Sequence, residues 1–255
     1  MMKKKLDLID IKKFKKSKKK LVMITAYDYV SGYIVNESSA DIILVGDSYG
    51  MTTLGYDQTS LVSMEDMDRA TRSINNVKLK TFLVADLPYK TYETNEQALK
   101  NSKILINSGA DAIKLEGGKD KRGIIEHLTN NNIKVMSHIG IIPQSIKFKK
   151  DYKILGKNNQ EYNHLFEDAK EVQNAGAFAV VLELIEKKLA KDITLSLNIP
   201  TIGIGSGSYT DGQVQVYNDL IGYSPHPLPK HAKPFSNLFE SASEAISKYI
   251  SSIKS

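Results

Sequence analysis

Short apolar runs recur eight times along this chain, each followed by polar loop residues and then a helix-like stretch, and few folds accommodate that alternation. The runs cover residues 21–26, 42–45, 81–85, 112–115, 133–137, 179–182, 201–204 and 214–217. Several are near-continuous and rich in valine and isoleucine, as strands buried on both faces are. The stretches between them carry helical periodicity. Over Asn95–Asn107, the residues Ala98, Leu99, Ser102, Leu105 and Ile106 share one face, and over 161–175 Leu165, Ala169 and Val172 do. Gly109 and Gly176 follow where a left-handed residue commonly ends a helix. Strand and helix in repeated alternation indicate a parallel α/β fold. Eight strands favour a closed (β/α)8 TIM barrel over an open doubly wound sheet.

The chain has 255 residues, close to the usual size of one such barrel. No Pro- or Ser-rich linker interrupts residues 21–225, so we read residues 1–255 as one domain. A lysine-rich arm occupies residues 1–20. After Gly222 the chain turns through Pro225, Pro227, Pro229 and Pro234 and ends in an amphipathic helix over about 237–253. There is no cysteine, which excludes disulfides, thiolate metal sites and cysteine nucleophiles and fits a cytoplasmic location. No apolar run reaches the length of a membrane span, so no membrane partner is expected.

The formal charge of +6 describes the arm and not the body. Residues 1–20 hold ten lysines against Asp7 and Asp10, while the other 235 residues carry 25 basic and 27 acidic side chains. A lysine cluster can bind nucleic acid or anionic lipid. This one has no arginine and no interleaved stacking aromatics, so the expectation is an exposed helix docked through Leu6, Leu8, Ile9, Ile11 and Phe14, with no nucleic-acid partner.

In a barrel of this kind the active site forms at the C-terminal ends of the strands. The second run leads into Asp47 and Ser48, the third into Asp86, the fourth holds Lys114 and leads into Glu116, the fifth into His138 and the sixth into Glu183. Each has a plainer reading: Asp or Ser after a strand often caps the next helix, and a lone His is more often a hydrogen-bonded core residue. Together they are harder to dismiss. Neighbouring strands lie about 5 Å apart, so Asp47, Asp86 and Glu116 would crowd three carboxylates. Such a cluster is protonated, paired or metal-bound, and oxygen ligands alone suit a hard cation such as Mg2+. Lys114 and Glu116 lie two apart on one strand and point to one side, and Glu183, on another strand, is free to act as a base. The glycine-rich segment 203–207 fits either a phosphate cradle or a tight turn with close backbone approach.

These residues stand within ITAYDY (24–29), LVGDSYGMTTLGY (44–56), VADLPY (84–89), GADAIKLEGG (109–118), SHIGIIPQ (137–144), AGAFAVVLE (175–183) and IPTIGIGSGSYTDGQVQV (199–216). In this order they resemble the ketopantoate hydroxymethyltransferase family, from about Leu6 to Phe235. The resemblance implies a (β/α)8 barrel in a large homo-oligomer, a decamer. It implies transfer of a hydroxymethyl group from 5,10-methylenetetrahydrofolate to 2-ketoisovalerate, with Mg2+ as cofactor. Carried over residue by residue, it implies Asp47, Asp86 and Glu116 as metal carboxylates. Asp47, Ser48, Asp86, Lys114 and His138 match substrate contacts, and Glu183 the catalytic base. Ser206, Tyr49, Ala70 and Glu186 depart from the residues common in the family; none removes a proposed catalytic group. The alternatives are a carbon–carbon lyase or mutase on the same barrel, acting on a phosphoenolpyruvate- or oxaloacetate-like acid, and a non-catalytic binder working through the arm.

Overall fold

The computed structural model describes residues 5–17, 19–146 and 151–254; Lys3, Lys4 and Lys18 of the arm lie outside them. Eight parallel strands close into a barrel in chain order: β1 (Leu21–Thr25), β2 (Ile42–Val45), β3 (Phe82–Asp86), β4 (Ala112–Glu116), β5 (Val135–Gly140), β6 (Ala179–Glu183), β7 (Thr201–Ile204) and β8 (Gly212–Gln215). β8 pairs with β1 through Leu21–Gly212 and Met23–Val214, which shuts the ring. The (β/α)8 expectation is met.

Helices α1 (Leu8–Lys13), α2 (Tyr29–Glu37), α3 (Tyr49–Thr52), α4 (Met64–Asn75), α5 (Asn95–Asn107), α6 (Arg122–Asn130), α7 (Asn159–Asn174), α8 (Lys187–Ser196), α9 (Tyr217–Ile221) and α10 (Leu238–Lys254) accompany the strands. Sequence dictates their starts. Asp28, Ser63, Thr94 and Asn158 each accept a hydrogen bond from a backbone N–H of the first turn, satisfying groups that have no partner within the helix. Gly109 (φ +113°) and Gly176 (φ +96°) take the left-handed conformation expected of them.

Alternation along the strands builds two apolar layers. Residues such as Ile43, Val45, Leu83, Ile113, Leu115 and Val180 face the helices. Met23, Ile42, Leu44, Phe82, Val84, Ala112, Met136, Val181 and Ile202 fill the barrel. α1 closes the N-terminal mouth: Ile11 is fully buried against that inner cluster, and Leu6, Leu8 and Phe14 pack beside it. Ile9, expected to dock with them, is exposed instead, because it lies on the opposite face of the helix. The arm lysines find partners within the chain. Lys5 pairs with Asp111 at 2.7 Å, Lys15 with Asp211 at 3.0 Å, and Lys20 donates to the carbonyl of Thr210.

Aspartates set the register at that end. Asp41, Asp111 and Asp211 each precede a strand and accept the N–H of Val22, Leu83 and Thr201 respectively, at 2.8 to 2.9 Å.

Three features differ from the sequence expectation. β5 runs from Val135 to Gly140 and not over 133–137, so His138 is a strand residue; Ile133 still belongs to the turn after α6, its N–H bonded to Leu128. β8 spans Gly212–Gln215 and not 214–217, since Tyr217 opens α9 with its N–H on Thr25 Oγ1. No helix stands between β7 and β8. Residues 205–211 make that crossover, with Gly205 (φ +65°) and Gly207 (φ +82°) in left-handed turns.

Candidate active site

The barrel interior is apolar in its lower layers and ionic at the top. On β3 the inward positions read Phe82, Val84, Asp86; on β4 Ala112, Lys114, Glu116; on β5 Met136, His138; on β6 Ala179, Val181, Glu183. The register pairs Asp86 with Lys114 and Glu116 with His138, and brings Gly140 beside Glu183. Asp86, Glu116 and Glu183 are the last residues of their strands, so fixed backbone holds them. Asp47, just past β2, joins them because its N–H donates to Asp86 Oδ2 at 3.1 Å. Asp47, Asp86, Lys114, Glu116 and His138 are all buried, and the Glu183 side chain keeps 12% of its surface.

Ser48 occupies the capping position of α3 but makes no capping bond. Its hydroxyl shares a 2.8 Å hydrogen bond with Tyr27, whose phenol burial pushes up to about 12. The capping explanation for Ser48 therefore does not hold.

Acid outnumbers base in this cluster, and the proton affinities follow. Burial pushes the Asp47 carboxyl well up, and Glu116 and Asp86 push it further. Burial also raises Asp86, against the pull of Lys114, whose Nζ lies 3.1 Å from Oδ1. The Lys114 ammonium is the partner of that buried oxygen. Burial would lower Lys114, but Asp86, Glu116 and Asp47 outweigh it and hold the ammonium protonated. Burial would raise Glu116, yet His138 and Lys114 bring it below the usual range. His138 bridges two acids, with Nδ1 3.3 Å from Glu116 Oε1 and Nε2 3.2 Å from Glu183 Oε2. Burial and Lys114 oppose its protonation, but the two carboxylates prevail and raise it to about 9.

Leu184, next after Glu183, has φ +49°, a costly conformation for a bulky side chain. Hydrogen bonds from its N–H to Ile204 O (2.9 Å) and from Leu155 N–H to its carbonyl (2.8 Å) hold it there. Ser206 contributes to the same corner, accepting from Ile185 N–H and donating to Leu182 O. The segment 203–207 is close-packed: a Cβ on Gly203 would lie 2.7 Å from Thr210 Oγ1. Of the two readings of these glycines, close backbone approach is the one this geometry favours.

Sequence reasoning missed three residues here. Gln144 and Tyr92, in the loops after β5 and β3, sit beside the carboxylates and hydrogen-bond to each other at 2.6 Å. Tyr152 stands near enough that Glu183, Glu116 and Asp47, after burial, raise its phenol. Only Gln144 lay in a quoted motif, and there nothing separated it from neighbouring loop residues. A cavity of about 360 Å3 opens beside the cluster, reached past Glu116 and Gly140 and walled by Tyr89, Tyr92 and Asp168.

The barrel is shared with solved structures of low sequence similarity. Phosphonopyruvate hydrolase, in a complex with oxalate and Mg++, superposes with a TM-score of 0.66 at 11% identity, over 97% of this chain and 86% of that one. A 2,3-dimethylmalate lyase of the PEP mutase/isocitrate lyase superfamily gives 0.62 at 14% identity, over 97% and 87%. These likenesses speak to the fold alone. Sequence relatives are far nearer. The 3-methyl-2-oxobutanoate hydroxymethyltransferase of Pseudothermotoga lettingae is 43% identical over 250 residues, covering 96% of this chain and 94% of its own. Its namesake in Pyrobaculum islandicum is 44% identical over 242 residues, 94% and 92%. The ketopantoate hydroxymethyltransferase family profile matches residues 5–255. With that profile running the length of the barrel and through every strand end that carries the cluster, the chain is a member of the ketopantoate hydroxymethyltransferase family.

Proposed function

We propose that this chain transfers a hydroxymethyl group from 5,10-methylenetetrahydrofolate to 2-ketoisovalerate, giving ketopantoate and tetrahydrofolate, with Glu183 as base and Mg2+ as cofactor. The observation that carries the reading is the division of the rim. Asp47, Asp86, Glu116 and Lys114 form one buried group, and Glu183 stands apart from them across His138.

The donor set suits a hard cation. The group is rich in buried carboxylate oxygens, with the Lys114 ammonium alone, among the described residues, at Asp86 Oδ1, and Asp47 is destabilised as an anion by its neighbours. Among the described residues no three His, Asp or Glu side chains converge tightly enough to chelate an ion unaided, so water and substrate oxygens would complete the shell. Asp47 and Asp86 would hold the ion, with Glu116 behind them. When bound, Mg2+ supplies Lewis acidity toward the keto oxygen and offsets the carboxylate charge.

The chain's own groups do the rest. Lys114 offers a buried positive charge to the keto-acid oxygens, and Ser48, Asp47, Asp86 and His138 shape the seat around them. Glu183, more open than the others, removes the proton from C3 to give the enolate; water supplies the hydroxyl of the one-carbon unit that the enolate takes up, and the folate nitrogen keeps a proton and leaves as tetrahydrofolate. His138, between Glu116 and Glu183, fixes the direction in which that carboxylate faces. The cavity lined by Glu116 and Gly140 is the space assigned to the folate in this reading. The reading includes assembly into a homo-oligomer, a decamer by family resemblance, supported by the exposed apolar side chains Ile246, Tyr249, Ile250 and Ile253 on α10.

The test is a folate-dependent assay with 2-ketoisovalerate, with and without a chelator. Turnover that needs folate and divalent cation is expected. Preference for oxaloacetate over 2-ketoisovalerate would sink the proposal.

A further inference from the structure

Gln144 lies in the loop after β5, fully inside the protein, and touches three other strand ends at once. Its Nε2 donates to Asp47 Oδ2 at 2.8 Å and to the carbonyl of Leu87 at 3.0 Å. Its Oε1 accepts from the Tyr92 hydroxyl at 2.6 Å. Its backbone N–H donates to Glu116 Oε2 at 3.1 Å. A carboxylate and a carbonyl are acceptors only, so both require the NH2 end of the amide. The flip state that is often ambiguous for glutamine is here dictated by its partners.

The effect on the carboxylates is specific. Glu116 has Oε2 on Gln144 and Oε1 facing His138, so both its oxygens are engaged. Asp47 has Oδ2 on Gln144, and among the described residues its Oδ1 accepts no hydrogen bond. The one side chain thus decides which oxygen of Asp47 is tied back and which is offered to the site. We propose that Gln144 is a positioning residue that holds the Asp47 carboxylate in its binding orientation through this two-acceptor amide grip, with Tyr92 as a lesser support. The inference rests on the functional reading above. Tyr92 is lesser because the orientation of the amide is already set by Asp47 and Leu87, and loss of the phenol hydroxyl leaves that intact.

The experiment uses full-length protein and Mn2+ itself as probe, with free Mn2+ followed by electron paramagnetic resonance. Gln144→Ala removes the grip and should weaken Mn2+ binding about tenfold or more, the usual cost of losing a residue that orients a ligand. Gln144→Glu keeps the shape but presents an acceptor to two acceptors, so at pH 8 it should bind as poorly. Tyr92→Phe should stay within about threefold of wild type. Melting temperatures of the metal-free proteins separate a folding defect from a binding defect. Mn2+ binding by both Gln144 variants within twofold of wild type would overturn the proposal. If wild-type protein binds no Mn2+, the cation reading fails by itself, and Gln144 is judged on KM for 2-ketoisovalerate in the same variants: a rise with kcat little changed supports positioning, and unchanged KM refutes it.

Discussion

Lys114 and Asp86 are register partners on neighbouring strands, and their charged ends meet 3.1 Å apart in the buried top layer of the barrel. A buried lysine often becomes a neutral nucleophile, because desolvation drives off its proton. Here burial is overruled by Asp86, Glu116 and Asp47, which keep the ammonium charged. The amine should therefore form no imine with the keto acid. Borohydride reduction in the presence of 2-ketoisovalerate should leave Lys114 unmodified by mass spectrometry; an adduct on Lys114 would contradict this arrangement. Treatment with EDTA should abolish turnover, and Mg2+ should restore it.

Proton removal and one-carbon transfer should separate. In D2O with Mg2+ and no folate, NMR should show loss of the C3–H signal of 2-ketoisovalerate. Glu183→Gln is nearly isosteric but cannot take the proton, so exchange should fall by about 10²-fold or more. If that variant exchanges at the wild-type rate, Glu183 is not the base.

The buried cluster proposed to carry the chemistry burdens the metal-free fold. The Asp47 carboxyl binds its proton more tightly in the folded protein than in the unfolded chain. Stability from this group is therefore full at acid pH, and it declines as pH rises from the unfolded value toward the raised folded one. Asp47→Asn removes the charge, and its amide oxygen can still accept from Gln144. Without metal it should melt higher than wild type at pH 7, with a weaker decline between pH 4 and 7, while catalysis is lost. An Asp47→Asn protein that melts lower at neutral pH would mean that the anion is already well compensated.

At the other end of the barrel, Ile11 is the plug. Truncation to alanine should cost about 2–5 kcal/mol, read as a lower denaturant midpoint. Deleting residues 1–5 removes the Lys5–Asp111 pair, whose partners are 36% and 25% exposed. That loss should cost about 1 kcal/mol or less and leave turnover nearly intact. A soluble truncated protein with strongly reduced turnover would show that the arm matters to the site.

Much of this was legible in the chain because barrel strands are continuous apolar runs and their last residues face one mouth. Asp86, Lys114, Glu116 and Glu183 could be picked out by that rule alone. β5 and β8 were misjudged at their ends because an interior strand may carry polar residues and glycine. His138, Gly140, Gly212 and Gln213 break the hydrophobic pattern while pairing normally. Gln144 was invisible for another reason. Its partners Asp47 and Tyr92 lie 97 and 52 residues away, and no local pattern encodes a convergence of that kind.

The arm that stoppers the barrel carries a consequence for how the chain comes to be folded. Lys15 holds Asp211, 196 residues further on, and Lys20 holds Thr210, 190 residues further on. On a growing chain the stopper is made early and its anchors late. Ile11 and Phe14 must wait, apolar and uncovered, until nearly the whole sequence exists. The lysines that surround them keep that waiting segment in water and repel its copies on neighbouring chains. Beyond the contacts that Lys5, Lys15 and Lys20 make in the finished barrel, the same charge favours solubility of the arm while there is no barrel to close.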